Sequence, residues 1–348
     1  MAVWKYIHTF LISSVAIAYL IHNHLKRKKR FTIEQLHRAS ALGDINLLKT
    51  ILSAGQVPVN RRNEEGTTPL MLAIANGHKE CSELLLQHNA DPAIRRVTGT
   101  HALYFACQSG LTNMVNLLLD YGAQVDQPAY ENTTALFVAV EDDHREIVKL
   151  LLENGADVNK RAGSGYTPLM LAVKYNHVDV AEMLLDRGAD PNCVMTRDGC
   201  TPLMLSVMMN FVEMATLLAS YGANINTSEP GSDTPLFRAI RHGSLELILS
   251  LLSFKPPPNP EAGNGQTCLH AAVLRGDVTI LNALLEAGHS GSDDLGCSEI
   301  QYAKLLKLQE IENTLVQHAS TGSTPLTGST EVTVKHRRKI VSPLHTKA

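Results

Sequence analysis

Apolar residues along this chain recur on two scales. On the short scale they fall three and four apart, as in TPLMLAVKYN (167–176) and VDVAEMLLDRG (178–188), the spacing that gathers a stripe onto one face of a helix. On the long scale the stripe itself returns: Leu70, Leu103, Leu136, Leu169, Leu203, Leu236 and Leu269 are separated by 33, 33, 33, 34, 33 and 33 residues. A fixed period of this size predicts a stack of short helical units, in which neighbours bury the apolar faces that no unit can bury alone.

Within a unit the punctuation is regular. TPLMLA (68–73 and 167–172), TPLMLS (201–206), TPLFRA (234–239) and TCLHAA (267–272) each open a first helix. The threonine is placed to cap the first turn, and the proline stands where a helix has no use for an N–H. About ten residues later a second helix is marked by Leu84–Leu86, Leu117–Leu119, Leu150–Leu152, Leu184-Leu185, Leu217-Leu218, Leu251-Leu252 and Leu284-Leu285. Gly122, Gly155, Gly188, Gly222 and Gly288 then end it, at a point where a left-handed residue is needed and the lack of a Cβ makes it easy.

TPLMLAVKYNHVDVAEMLLDRGADPN (167–192) and TALFVAVEDDHREIVKLLLENGADVN (134–159) resemble ankyrin repeats, and the likeness extends over about residues 31–318. It implies an all-α solenoid of helix-turn-helix units with β-hairpin loops. Seven full repeats run from 66 to 297, with a degenerate one at 31–65 and a C-terminal half-repeat at 298–318. The family's TPLH histidine is kept at His270 and replaced by Met71, Tyr104, Phe137, Met170, Met204 and Phe237, so apolar packing is expected to take over its inter-repeat bonding. Where a helix-ending glycine belongs in repeat seven there is Lys255, followed by prolines at 256–258 and 260, which predicts a distorted hairpin and a kink.

Ankyrin repeats bind proteins through their hairpin tips and the concave side of their first helices. Carried onto this chain, the strongest partner-binding candidates are Tyr130, Glu131, Glu141, Asp142, Tyr166, Lys174, Tyr175, Met208, Met209, Arg241 and His242. Read across the repeats, the groove turns from acidic through aromatic and Met-rich to basic, ending at Arg275. Exposed Tyr and Met bury much area at an interface. The alternative for Met208 and Met209 is that they fill a gap between repeats five and six, beside the extra residue.

The ends differ from the body. From Tyr6 to Ile21 the chain is uncharged and mostly apolar, bordered by Trp4 and by LKRKKR from Leu25. As a helix it would reach about 24 Å, short of a ~30 Å hydrocarbon core but within what flanking residues or a thin bilayer can make up. A single transmembrane helix ahead of the solenoid is therefore expected, contacting the lipid bilayer through residues 6–21. A cleavable signal peptide, a buried core helix and an interfacial helix remain as alternatives. The basic side stays in the cytosol, so the repeats are expected to face the cytosol, at the endoplasmic reticulum or mitochondrial outer membrane rather than the thicker plasma membrane. The domains are then 1–30 as anchor, 31–318 as ankyrin-repeat domain and 319–348 as a basic disordered tail.

Charge sharpens that partition. The first thirty residues carry +6 and the last thirty +4; taking both from the total of −3 leaves about −13 on the body. An acidic body lacks the basic face that nucleic acid requires. The cysteines, irregularly spaced with no CxxC pair, read as reduced thiols. No phosphate-cradling glycine loop, nucleophile elbow or HExxH appears, so no catalytic, cofactor or metal residue and no small-molecule substrate is assigned. His78, His144 and His177 recur at one repeat position, between the paired helices, and are read as structural. The function expected is a membrane-tethered scaffold or adaptor for a cytosolic protein. The alternatives are a regulatory or inhibitory subunit of a partner enzyme, and a soluble adaptor if residues 6–21 do not span a membrane.

Overall fold

A computed structural model of the chain describes residues 31–195, 199–226, 233–256, 266–289 and 299–321. The apolar segment 6–21, the prolines beyond Pro256 and the tail from residue 322 lie outside the described residues. The described helices come in pairs, one pair per unit. They are α1 (Ile33–Leu42) and α2 (Ile45–Ala54), α3 (Pro69–Ala75) and α4 (Lys79–Gln87), α5 (Ala102–Gln108) and α6 (Thr112–Asp120). Then follow α7 (Ala135–Glu141) and α8 (Arg145–Glu153), α9 (Pro168–Lys174) and α10 (Val178–Asp186), α11 (Pro202–Met208) and α12 (Val212–Ser220). The last are α13 (Pro235–His242) and α14 (Leu245–Ser253), α15 (Cys268–Arg275) and α16 (Val278–Glu286), α17 (Glu299–Leu305) and α18 (Gln309–Thr321). Units 1 to 9 are numbered by these pairs. The segment after residue 298 thus holds two helices.

Odd-numbered helices form one layer and even-numbered helices the other, and each pair packs on the pair before and the pair after it. Helices of seven to thirteen residues are marginal at best alone in water, so their stability comes from this stacking. The shared core is the leucine pattern read from the sequence: Leu70, Leu103, Leu136, Leu169, Leu203, Leu236 and Leu269 are at most 2% exposed.

The start signals work as their chemistry dictates. The hydroxyls of Thr68, Thr167, Thr201, Thr234 and Thr267 accept from the third backbone N–H of α3, α9, α11, α13 and α15, and proline occupies the first turn in the first four. The second helices end on a left-handed residue, Gly122 at φ 80° and Gly155 at φ 82°; Asn89 at φ 63° and Lys255 at φ 49° do the same without glycine's freedom. Lys255 still closes α14, its N–H on the Leu252 carbonyl at 2.9 Å. At the substituted TPLH positions Met71, Phe137, Met170 and Phe237 are buried, as expected of packing in the histidine's place, while Tyr104 and Met204 are only partly buried.

Where the loops after the second helices are described, the chain turns tightly, with the Arg96 N–H on the Thr100 carbonyl at 2.8 Å and the Ala162 N–H on the Tyr166 carbonyl at 3.0 Å, but among the described residues no run is long enough to count as a strand. A ladder of side chains ties these turns together: Asn159 Oδ1 accepts from the Asp190 N–H at 3.0 Å, and Asn192 Oδ1 from the Asn224 N–H at 2.8 Å.

The recurrent histidines bridge units. Nε2 of His78 meets the Ala41 carbonyl at 3.0 Å, Nε2 of His144 the Gln108 carbonyl at 3.4 Å, and Nε2 of His177 the Glu141 carbonyl at 3.2 Å. Each reaches back to the end of the preceding first helix. Gly43 shows how close the joint is: at φ 72° an added Cβ would stand 2.6 Å from Nδ1 of His78. Gly43→Ala is expected to cost the left-handed strain of about 1–2 kcal/mol and to displace His78 as well. Gly77→Ala, at φ 74° with open space around the Cβ, should cost the strain alone. Thermal unfolding of the two variants checks this, since equal losses would mean that His78 contributes nothing at the joint.

Candidate protein-binding groove

The last turn of each first helix points its final two residues away from the core, because the apolar stripe is used up by the residues before them. In units 4 to 7 these positions carry Glu141 and Asp142, Lys174 and Tyr175, Met208 and Met209, Arg241 and His242, all exposed. The structure therefore lines the candidates up on successive units along one edge of the first-helix layer. Tyr130 and Glu131 sit elsewhere, in a 3-10 turn (Tyr130–Asn132) at the tip of the preceding loop. Tyr130 is 67% exposed. Glu131 and Asn132 both take positive φ there, and the turn is held by the Gly163 N–H on the Glu131 carbonyl at 2.5 Å and the Asn132 amide on the Arg161 carbonyl at 2.7 Å.

Units 4 and 5 bring four of the candidates into contact. The Tyr175 hydroxyl donates to Oε1 of Glu141 at 2.9 Å, and its ring stacks on His177 with centroids 5.9 Å apart. The Lys174 ammonium lies 5.5 Å from the ring centre of Tyr166 and 5.0 Å from that of Tyr175. Tyr166 is half-buried against the core, so it is a wall of the groove more than an exposed tip. On the unit 3 side, burial raises the Tyr104 phenol above its usual range, opposed by its bond to Thr133 and helped by the charges of Glu141 and Asp142. The acidic pair thus sits between aromatic residues of units 3 and 5.

Further along, Met208 and Met209 are 53% and 52% exposed, which excludes the gap-filling role for them. The basic end is less available than its sequence suggests. Arg241 and Arg238 both reach Oδ2 of Asp233, at 3.6 and 3.9 Å, and Arg275 donates to the Ile240 and Gly243 carbonyls at 2.9 and 2.8 Å. Arg275 is thereby a cap on α13, not a free cation of the groove. Among the described residues no group of three His, Cys, Asp or Glu side chains is arranged to hold a metal ion.

The family model for ankyrin repeats in three copies matches residues 36–129, 125–195 and 187–259, and that for many copies matches 236–285. The chain belongs to the ankyrin-repeat family. Among solved structures, the human ASB11 ankyrin repeat domain is 32% identical with a TM-score of 0.55, over 64% of this chain and 98% of that domain. The ankyrin repeat domain of Bcl-3, described as a unique member of the IkappaB protein family, is 28% identical with a TM-score of 0.58, over 62% and 97%. Among curated proteins, the probable 26S proteasome regulatory subunit p28 of Saccharomyces cerevisiae is 31% identical over 84 residues, 24% of this chain and 34% of the yeast protein. Cortactin-binding protein 2 of Ornithorhynchus anatinus is 39% identical over 56 residues, 16% of this chain and 3% of that protein. The chain spans about a third or less of these curated relatives.

In this ankyrin-repeat domain some groups beside the groove carry no repeat-wide sequence signal. Asp143 takes φ 53° in the turn between α7 and α8, where neighbouring units use glycine or asparagine. There it pairs with Arg145 at 3.1 Å, and Arg145 also reaches Asp179 of the next unit. Arg96 lies 5.7 Å from the Phe105 ring centre. Aspartate's tolerance of the left-handed region was the available clue for Asp143; the others depend on side-chain direction, which the period does not encode.

Proposed function

We propose that this chain is a membrane-tethered scaffold that binds a cytosolic protein along the first-helix edge of units 3 to 7, with residues 6–21 as the tether. The observation that supports it is the run of exposed Tyr175, Met208 and Met209 on consecutive units, flanked by acidic and basic residues. Interfaces are enriched in such residues at their centres and in charge at their rims. The tether rests on the uncharged stretch and the basic cluster after it. Among the described residues no helix is long and apolar enough to cross a membrane, so the whole of that role falls to residues 6–21.

Two measurements test this reading. Alkaline extraction should leave the full chain in the membrane pellet with its C-terminus open to protease, and release a chain starting at Phe31; if both are extracted, the tether is wrong. Capture of a cytosolic partner should fall by tenfold or more, on the order of a hot-spot loss, in the Tyr175→Ala, Met208→Ala double variant. Leu249→Ala, exposed on α14 in the other layer, should leave capture unchanged. Equal capture by both would put the interface elsewhere. A second reading, a regulatory subunit of a partner enzyme, is favoured by the yeast relative's description as a regulatory subunit. It predicts that the bound partner loses activity.

A further inference from the structure

Tyr166 and Tyr175 are positioned by contacts that do not involve Lys174. Tyr166 is held by the core and by the Ala162 N–H on its carbonyl at 3.0 Å. Tyr175 is held by Glu141 at 2.9 Å and by its stacking on His177, which the Glu141 carbonyl anchors at 3.2 Å. Two rings fixed in this way, with the Glu141 carboxylate on the Tyr175 hydroxyl and exposed Asp142 next to it in the chain, make a seat for a cation: the ring faces and the carboxylates both attract positive charge. The seat already holds one, the Lys174 ammonium at 5.5 and 5.0 Å from the ring centres. Lys174 is exposed on a flexible stem, so water replaces its contacts readily when it leaves.

We propose that Tyr166, Tyr175, Glu141 and Asp142 form a subsite for a guanidinium or ammonium side chain from a basic segment of a partner protein, and that Lys174 fills it until displaced. The proposal rests on the groove described above and specifies its ligand. A guanidinium suits the seat best, since it stacks on aromatic faces and donates in a fork to carboxylates. Met208 and Met209, one unit further, supply apolar surface for the residue that follows the cation. The chain's own KHRRK cluster is a poorer occupant. Its arginines, Arg337 and Arg338, stand sixteen and seventeen residues past Thr321, a reach of at most about 60 Å when fully extended. The seat lies four units back from α18, or roughly 40 Å at ~10 Å per packed helix. Filling it from the same chain would hold that segment drawn out to about two-thirds of its full length, at a cost in chain entropy that a partner's segment does not carry, so the partner is taken to act in trans.

The test uses the full chain in detergent and a fluorescent peptide GSLRRLLGS, with the same peptide carrying citrulline for both arginines, read by anisotropy. Lys174→Met is expected to tighten binding of the arginine peptide ~5-fold by removing the competing cation. Lys149→Met, which removes an exposed charge from α8 in the other layer, should change it by less than ~2-fold, a screened surface effect. Glu141→Gln with Asp142→Asn should weaken it ~5-fold, and the citrulline peptide should not distinguish Lys174→Met from the parent. If Lys174→Met and Lys149→Met behave alike, or citrulline binds as well as arginine, the seat is overturned. That result leaves the groove standing so long as partner capture still depends on Tyr175 and Met208.

Discussion

Replacing Phe237 with alanine is expected to lower stability by about 3–5 kcal/mol and to split unfolding into two stages. Phe237 is fully buried and among the bulkiest such side chains in the molecule. It occupies the third helical position of α13, where the family's histidine would stand, and α13 packs against α11 and α15. Alanine there removes the ring's burial and leaves a cavity that neighbouring short helices cannot close without losing their own register. Because each unit touches only its neighbours, the loss falls on the joints between units 6 and 7 and units 7 and 8. Units 1 to 5 keep all their contacts. Denaturant unfolding followed by circular dichroism should show a new early transition of reduced amplitude, with the later one near its parent midpoint. A single transition, shifted whole, would mean that the stack unfolds as one block.

How much of this was legible in the sequence follows from what a repeat encodes. Residues used the same way in most units announce themselves: the capping threonines, the Leu70 series and the αL glycines are where the period puts them. Even the substitutions obey it, since Lys255 takes the left-handed conformation its position demands. The bridging histidines were readable as structural for the same reason. What the period cannot carry is the contact made once. Tyr175 and Glu141 are 34 residues apart, as are many pairs that do not touch; the bond between them depends on two side-chain rotamers. Likewise Arg241, Arg275 and Lys174 look alike as exposed cations, yet one pairs with Asp233, one caps α13 and one lies between two tyrosines. The loops were expected as β-hairpins. In the described loops closing bonds are present but no strand forms, because those bonds stay inside one short turn and do not extend into a ladder.

His101 is where a departure from the repeat has the sharpest consequence for pH. It stands where units 2 and 5 to 8 have a capping threonine, fully buried. Nε2 donates to the Gln127 carbonyl at 3.1 Å and Nδ1 accepts the Tyr104 N–H at 3.4 Å, a pairing that only the neutral ring can make. Burial is the main reason its pKa falls to about 4, with the bond to Gln127 opposing and the charge of Arg95 assisting. Since the unfolded chain's imidazole titrates near 6.5, the unfolded state gains a proton between pH 6.5 and 4 that the folded state refuses. The stability tied to His101 is therefore whole above pH 6.5 and drains away as pH falls toward 4, by roughly 3 kcal/mol in total and about 2 kcal/mol by pH 5. Burial lowers the pKa of His289 too, so it pulls in the same direction. His101→Thr restores the usual cap and removes this liability, at the loss of the bond to Gln127, worth about 1 kcal/mol. The variant is thus expected to be less stable than the parent at pH 7.5 and at least as stable at pH 5, so that their curves of Tm against pH cross. Parallel curves would place the acid sensitivity in other groups and His101 among those that ionise as freely folded as unfolded.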